Sequence, residues 1–208
     1  MDEVGRVEKI LTGLLKFSRE EAIEIKEVDL IDNLNSVLVI MEKEFLHNNI
    51  KVNKHFEIDL PNIEVDADRI RQVFLNIINN ARYAMNGGGT LTISALIVYK
   101  DILINQRRTD VSDQAQTGNG SAQKKFLRIS FTDTGPGIKN DDIGKLFDPF
   151  FTTKPEDKGT GLGLSVCYTI IEKHGGVIEV ESELGKGASF IIDLPFFHNA
   201  MPEGLSPG

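Results

Sequence analysis

The sequence predicts an α+β fold, and three observations predict it. Apolar residues recur at helical spacing in several separate stretches, alternating runs between them have strand character, and the last two runs form a hairpin around Gly185 and Gly187 rather than a βαβ unit. A chain of 208 residues suffices for one good hydrophobic core plus an appendage. Its 40% hydrophobic and 26% charged content is that of an ordinary soluble globular protein.

The first predicted element is a helix. Val4, Val7, Leu11 and Leu14 recur at three- and four-residue steps, and Ile10 and Phe17 widen the stripe. Such a stripe needs a partner: a second copy, giving a homodimer through residues 4–17, or a helix from outside this chain. A second helix follows Asp29, with Leu34, Val37, Leu38, Met41 and Phe45 on its buried face. The stretch Ile50 to Ile58 reads as a strand closed by Pro61. Asp66 is placed to cap a third helix through Ile70, Phe74, Ile77, Ile78 and Ala81, which Gly87, Gly88 and Gly89 stop. Strands over Thr90 to Val98 and Phe126 to Asp133 flank a polar stretch, Asn105 to Lys125, that reads as a mobile hairpin insertion. A helix over Gly161 to His174 ends at Gly175 and Gly176. Strands Val177 to Ser182 and Ala188 to Leu194 close the fold, and the tail after Phe197 reads as disordered.

Charge and composition exclude several roles. A net charge of -8 disfavours general nucleic-acid binding, while leaving room for a nucleotide in a local amide-lined or basic pocket. No apolar run approaches the ~18 residues of a membrane span and no signal-peptide pattern opens the sequence, so no direct membrane contact is expected. Cys167 is the single cysteine, which excludes an intramolecular disulfide and fits a reducing cytoplasm. Within the helix after the glycine run, it reads as a buried apolar residue.

Four constellations carry chemistry. Asn76 and Asn80 stand one helical turn apart, where two amide oxygens can help hold a magnesium ion, and Arg82 and Tyr83 follow within reach of phosphates. Read alone, the pair fits a polar helix edge at least as well. Asp133-Thr134-Gly135-Pro136-Gly137-Ile138 follows an apolar strand: the glycines allow close backbone approach, and the carboxylate can accept a hydrogen bond from an exocyclic amine. A simple turn explains that run equally well. Phe147, Phe150 and Phe151 precede Thr152, Thr153 and Lys154, as a lid over a ligand or as a plug of the core. Gly159-Thr160-Gly161-Leu162-Gly163-Leu164 joins a loop to a helix start, where free amides and the dipole favour phosphate, and Lys154 and Lys158 add positive charge. It is neither a Walker motif nor a dinucleotide fingerprint.

Together these runs resemble the GHKL ATPase/kinase superfamily. Asn76 to Ala81 resembles its N box, Asp133 to Gly137 its first glycine box, Phe147 to Phe151 its F box and Gly159 to Leu164 its second glycine box. Gly185-Lys186-Gly187-Ala188-Ser189-Phe190 resembles the last glycine box, with Ser189 near the adenine. Phe-Phe-Thr-Thr-Lys followed by Gly-Thr-Gly-Leu-Gly-Leu-Ser is similar to sensor histidine kinases. The run Ile10 to Arg19 resembles the second helix of their dimerisation domain.

The resemblance implies a two-layer α/β sandwich, a mixed sheet covered on one face by helices and preceded by one amphipathic helix. It implies a dimerisation remnant over 1–26, an ATP-binding catalytic domain over 27–197 with a lid over 148–160, and a tail over 198–208. ATP and Mg2+ are the implied cofactors: Asn80 holds magnesium with Asn76 assisting, Asp133 reads adenine, and Gly161 to Leu164 cradle the phosphates. Gly135, Gly137, Ile138, Phe147, Thr153, Lys154, Gly159 and Thr160 complete the implied site, with Asn76, Asn80 and Lys154 nearest the chemistry. In the hydrolytic branches a Glu stands where this chain has Asn76, whose amide takes no proton near neutral pH. Losing such a base costs ~100- to 10,000-fold, so slow hydrolysis is expected. His47, His55, His174 and His198 lack the acidic neighbour that follows the family's acceptor, and His47 and His174 at helix ends read as cations suited to the dipole. The expected activity is γ-phosphoryl transfer to a histidine on a dimerisation domain outside this chain, with a response regulator as partner of the parent protein. A regulatory ATP-binding module and a serine kinase of the anti-sigma type are the alternatives.

Overall fold

The computed structural model describes residues 23–103, 121–155 and 159–196. The helix expected over 4–17, most of the insertion, Lys158 and the tail from Phe197 lie outside them.

Two long helices carry much of the apolar surface, and each begins at a carboxylate. Asp29 accepts from the Ile31 and Asp32 amides at the start of α1 (Leu30–His47), and Asp66 from the Asp68 and Arg69 amides at the start of α2 (Ala67–Ala84). Asp66 caps where the sequence predicts it, and α1 follows Asp29 as expected. A short antiparallel pair, β1 (Lys26–Val28) with β3 (Ile63–Val65), was not anticipated, because three-residue strands leave no periodic signal.

The main sheet has five strands in the order β2-β4-β5-β7-β6: β2 (Ile50–Phe56), β4 (Gly89–Leu103), β5 (Ser121–Asp133), β7 (Gly187–Pro195) and β6 (Val177–Glu183). β2 runs parallel to β4 and every other pairing is antiparallel, so the sheet is mixed as expected. Alternation sorts the side chains. Leu91, Ile93 and Ala95 of β4 stand beside Asp133, Phe131 and Ile129 of β5, and Phe131 and Ile129 beside Phe190 and Ile192 of β7. These residues are buried against the helices, and the Phe74 ring of α2 meets that of Phe131 at 5.6 Å. Asp133 belongs to the same face, at the strand's end, so its carboxylate is carried to the edge of the helix layer.

β4 and β5 are longer than predicted. Their pairing continues to Leu103 opposite Ser121, so Ser121 to Lys125 belong to a strand and not to the insertion. Polarity misled here, because a two-stranded ribbon beyond the core need not alternate. The short helix α3 (Asn140–Ile143) also went unanticipated, and α4 (Gly163–Lys173) begins two residues later than predicted.

His174, the C-cap of α4, corrects a second expectation. It is buried; its Nε2 accepts from the Asp66 amide (3.0 Å) and its Nδ1 lies 2.7 Å from the Ile170 carbonyl. An Nε2 that accepts carries no proton, so the ring is a neutral imidazole joining the end of α4 to the start of α2, not a cation facing a dipole. Among the described residues no helix is long and apolar enough to cross a membrane.

On the other face of the sheet Asp193 is 1% exposed between Arg128, which grips it through Nε and Nη2 at 2.8 Å each, and Lys100 at 2.5 Å. Burial alone raises this carboxyl, but the bonds from Arg128 and Lys100 outweigh it and hold it below the ordinary range. A depressed carboxyl stabilises the fold above its unfolded pKa, and that contribution disappears as pH falls through the lower folded value. Asp193→Asn is expected to cost about 1–3 kcal/mol, less than the rupture of a fully buried pair because both cations stay partly wet. Its stability should also fall less steeply below pH ~4. Urea unfolding across pH measures both, and an unchanged acid limb would refute the assignment.

Candidate functional site

Two glycine turns meet beside the end of β5. Gly137 (φ +72°) passes so close to the β6–β7 turn that a Cβ there would lie 2.2 Å from the Glu183 carbonyl oxygen. A Cβ on Gly187 (φ +94°) would lie 2.0 Å from that of Asp133. Neither position admits another residue without moving backbone. Ser182 ties the turns together, its Oγ accepting from the Ile138 amide (2.9 Å) and donating to the Gly187 carbonyl (2.8 Å). The Gly185 amide adds a bond to the Pro136 carbonyl at 2.6 Å. This stitching holds Asp133, which accepts from the Gly135 amide at 2.8 Å and from Ala188. Burial raises its carboxyl, against those two amides.

Between these turns, α2 and α4 lies a cleft of about 520 Å³. Asn80, Tyr83, Asp133, Gly137, Ile138, Thr153, Lys154, Gly159, Thr160, Gly161, Gly163 and Leu164, all predicted, line it. The start of α4 has no side-chain cap, so its first amides remain for a ligand. Asn76 is set behind this wall: its Nδ2 donates to the Gly163 carbonyl at 3.1 Å and so fixes where α4 begins.

Other predicted residues fall elsewhere. Ser189 is a correction: alternation along β7 turns it to the outer face, where its hydroxyl meets Thr132 at 2.8 Å, and Ala188 lines the cleft instead. Arg82 is off the cleft wall and pairs with Glu44 at 3.2 Å. Gly135 backs onto α2, where a Cβ would come within 3.0 Å of that of Ala84. Leu162 is buried beneath the second glycine run.

The three phenylalanines divide between the lid and core readings. Phe147 packs on the core and on the Tyr168 ring at 5.7 Å, Phe151 lines the cleft, and Phe150 is 53% exposed at φ +69°. Lys154 reaches Asn80 Oδ1 at 2.7 Å and lies 4.5 Å from the Tyr83 ring centroid. Burial, then the Arg82 charge, lowers its ammonium. Cys167 is buried as expected and burial pushes its thiol up to about 12, which keeps it unreactive.

Sequence reasoning missed Ala84, Lys139, Asp142, Leu146, Leu184, Ala188 and Phe190 on the wall, and Ser182 behind it. Counting alternate residues from Ala188 puts Phe190 on the same face of β7. No local pattern marks the others.

Loss of the Ser182 hydroxyl should be felt throughout this site. Ser182→Ala leaves the Ile138 amide and the Gly187 carbonyl unpaired, at a cost of about 1–3 kcal/mol. In chemical denaturation Gly144→Ala, with nothing within 4 Å of the added Cβ, serves as a near-neutral reference. Equal stability of the two variants would refute the role given to Ser182.

The family described as histidine kinase-, DNA gyrase B- and HSP90-like ATPase matches residues 65–198. The sensor histidine kinase ZraS of Escherichia coli (strain K12) is 33% identical over 93% of this chain, which spans 36% of ZraS. Sporulation kinase C of Bacillus subtilis (strain 168) is 33% identical over 93% of this chain, 39% of that protein. The chain therefore spans little more than a third of these relatives. Among solved structures, the nucleotide-free catalytic domain of histidine kinase ThkA superposes with a TM-score of 0.64 at 30% identity, covering 83% of this chain and 96% of that domain. ThkA in complex with the response regulator TrrA gives 0.69 at 27% identity over 96% of this chain and 50% of that one. The chain belongs to the histidine kinase-, DNA gyrase B- and HSP90-like ATPase family, as an ATP-binding catalytic domain of the sensor histidine kinase kind.

Proposed function

We propose that this chain binds Mg-ATP in the cleft and transfers the γ-phosphoryl group to a histidine outside it. The observation that carries the reading is the joint placement of Asp133, Asn80 and the uncapped start of α4 around one cleft. Asp133 accepts from the adenine amine at the end walled by Ala188 and Ile138. The amides at the start of α4, from Gly163 on, take the phosphates, with Thr153, Thr160 and Lys154 beside them. The residues fit a metal brought in by its nucleotide. Asn80 Oδ1 already accepts a cation, the Lys154 ammonium, and no cluster of His, Cys, Asp or Glu able to hold a metal occurs among the described residues. Magnesium bound there supplies charge neutralisation on the phosphates.

In the transfer, the acceptor imidazole nitrogen forms a bond to the γ-phosphorus as the bond to the β–γ bridging oxygen breaks, and ADP leaves with that oxygen. Asn76 cannot act as a base towards water and is engaged with Gly163, which favours transfer over hydrolysis. By analogy with ZraS and with ThkA bound to TrrA, the parent is a sensor kinase working in the cytoplasm. Its partners are a dimerisation domain that carries the histidine, and a response regulator.

Calorimetric titration of a non-hydrolysable ATP analogue with magnesium should show binding that falls at least tenfold in Asn80→Ala and Asp133→Ala. Adding a His-bearing dimerisation fragment and ATP should yield acid-labile phosphate. Binding without transfer would reduce the reading to a nucleotide-binding module, and acid-stable phosphate would indicate a serine kinase. Because the Asp133 carboxyl is raised by burial, it protonates at a higher pH than an ordinary Asp. Affinity should therefore weaken on acidification before ordinary carboxylates titrate, and should lose that dependence in Asp133→Asn. A shared pH profile would count against Asp133 as the adenine acceptor.

A further inference from the structure

Lys154 is held at several points along its length. Its amide donates to Thr152 Oγ1 at 3.1 Å, which turns the chain back towards the cleft. Its stem passes Gly159, where a Cβ would come 3.1 Å from Lys154 Cβ and 3.3 Å from Cδ. Its ammonium lies on the Tyr83 ring and on Asn80 Oδ1. Below this, the Phe150 amide donates to the Gly161 carbonyl at 2.9 Å. Phe150 takes a backbone conformation unusual for a residue other than glycine, and a Cβ on Gly161 would lie 2.3 Å from its carbonyl carbon. The segment carrying Lys154 is thus clasped at its base and pinned at its tip.

The pin uses the oxygen that a metal would need. An ammonium at hydrogen-bond distance from an amide oxygen, and a divalent ion about 2.1 Å from the same oxygen, would stand a few ångströms apart as like charges in a half-buried site. The two exclude each other. If Lys154 stayed in place Asn80 could not serve magnesium, and if the metal takes Asn80 the lysine must leave. Once displaced, the same ammonium has the phosphates as its nearest new partner.

We propose that Lys154 is a latch: it occupies Asn80 Oδ1 while the cleft is empty of metal and is released to the phosphates when metal-bound nucleotide claims that oxygen. One amide oxygen then reports the metal to the segment 151–155. Adenine and ribose entering without metal leave the latch closed. The exchange of partners rests on the nucleotide reading above, whereas the closed latch does not.

Amide hydrogen exchange over 151–155 in the full chain separates the two. Without nucleotide, Lys154→Met, which keeps the stem beside Gly159 but removes the charge, should speed exchange about three- to tenfold, as should Asn80→Ala. The double variant should exchange no faster than either single one, because the two changes remove one interaction. Lys154→Gln, which can still donate to Asn80, should recover part of the protection. Unchanged exchange in Lys154→Met, or additive effects in the double variant, would overturn the latch. With a metal-free ATP analogue the difference between wild type and Lys154→Met should persist, and with magnesium added the Lys154–Asn80 coupling should vanish. Coupling that survives magnesium would overturn the exchange of partners. Magnesium-dependent binding that is intact in Asn80→Ala would instead sink the assignment of the metal to Asn80, and the exchange of partners with it, and leave the closed latch standing.

Discussion

A Cβ on Gly187 would lie 2.0 Å from the Asp133 carbonyl oxygen, and one on Gly137 would lie 2.2 Å from that of Glu183, so two turns distant in sequence touch backbone to backbone. Everything at this end of the cleft depends on that approach. It brings the β6–β7 hairpin against the end of β5, lets Ser182 bond to both sides, and places the Ala188 amide where it can hold the Asp133 carboxylate. The Asp133 group is buried yet only partly compensated, which leaves it able to accept another donor. A carboxylate on a flexible loop would be solvated and would discriminate little.

The opposite end of the cleft is built by a different device. α2 and α4 meet at Cys167 and Val73, and the Asn76 amide fixes the first turn of α4 at Gly163. The neutral His174 secures the far end of α4 to the start of α2. α4 is therefore located at both ends by side-chain bonds to α2 while its own first amides stay uncapped. Rigidity of the helix and vacancy of its terminus are what an anion site requires, since donors fixed in advance need no reorganisation when charge arrives.

Much of this was legible in the sequence, for identifiable reasons. The cap at Asp66, the amphipathic stripes and the glycine runs are local: the chemistry needed at one position is set by backbone geometry within a few residues. Gly137 and Gly161 could be read because a positive φ in a tight contact admits little else. Ser189 came from the resemblance and not from alternation along β7, which turns Ser189 to the outer face and Ala188 to the cleft. The pairing of Arg82 with Glu44 was not legible, because Glu44 lies on another helix that no local pattern links to it. Ser182, Lys139 and Leu184 reach the site through tertiary packing alone, so their sequence neighbourhood carries no trace of their role.

The charge balance of the cleft then bears on what can enter it. The chain is acidic overall, at -8, yet the cleft presents the ammoniums of Lys154 and Lys139, the uncapped amides of α4 and the Asn80 amide oxygen, with Asp133 at its far end and Asp142 on its wall. A lone divalent cation would meet Lys154 on the oxygen it needs, and would gain no cluster of carboxylates in exchange. A lone triphosphate would meet donors, though too few to balance its charge. Only the pair, metal and polyanion together, satisfies both the amide oxygen and the amide hydrogens at once. On the proposed reading, selectivity for the complex over its components follows from placing a cation of the protein's own where the metal would go.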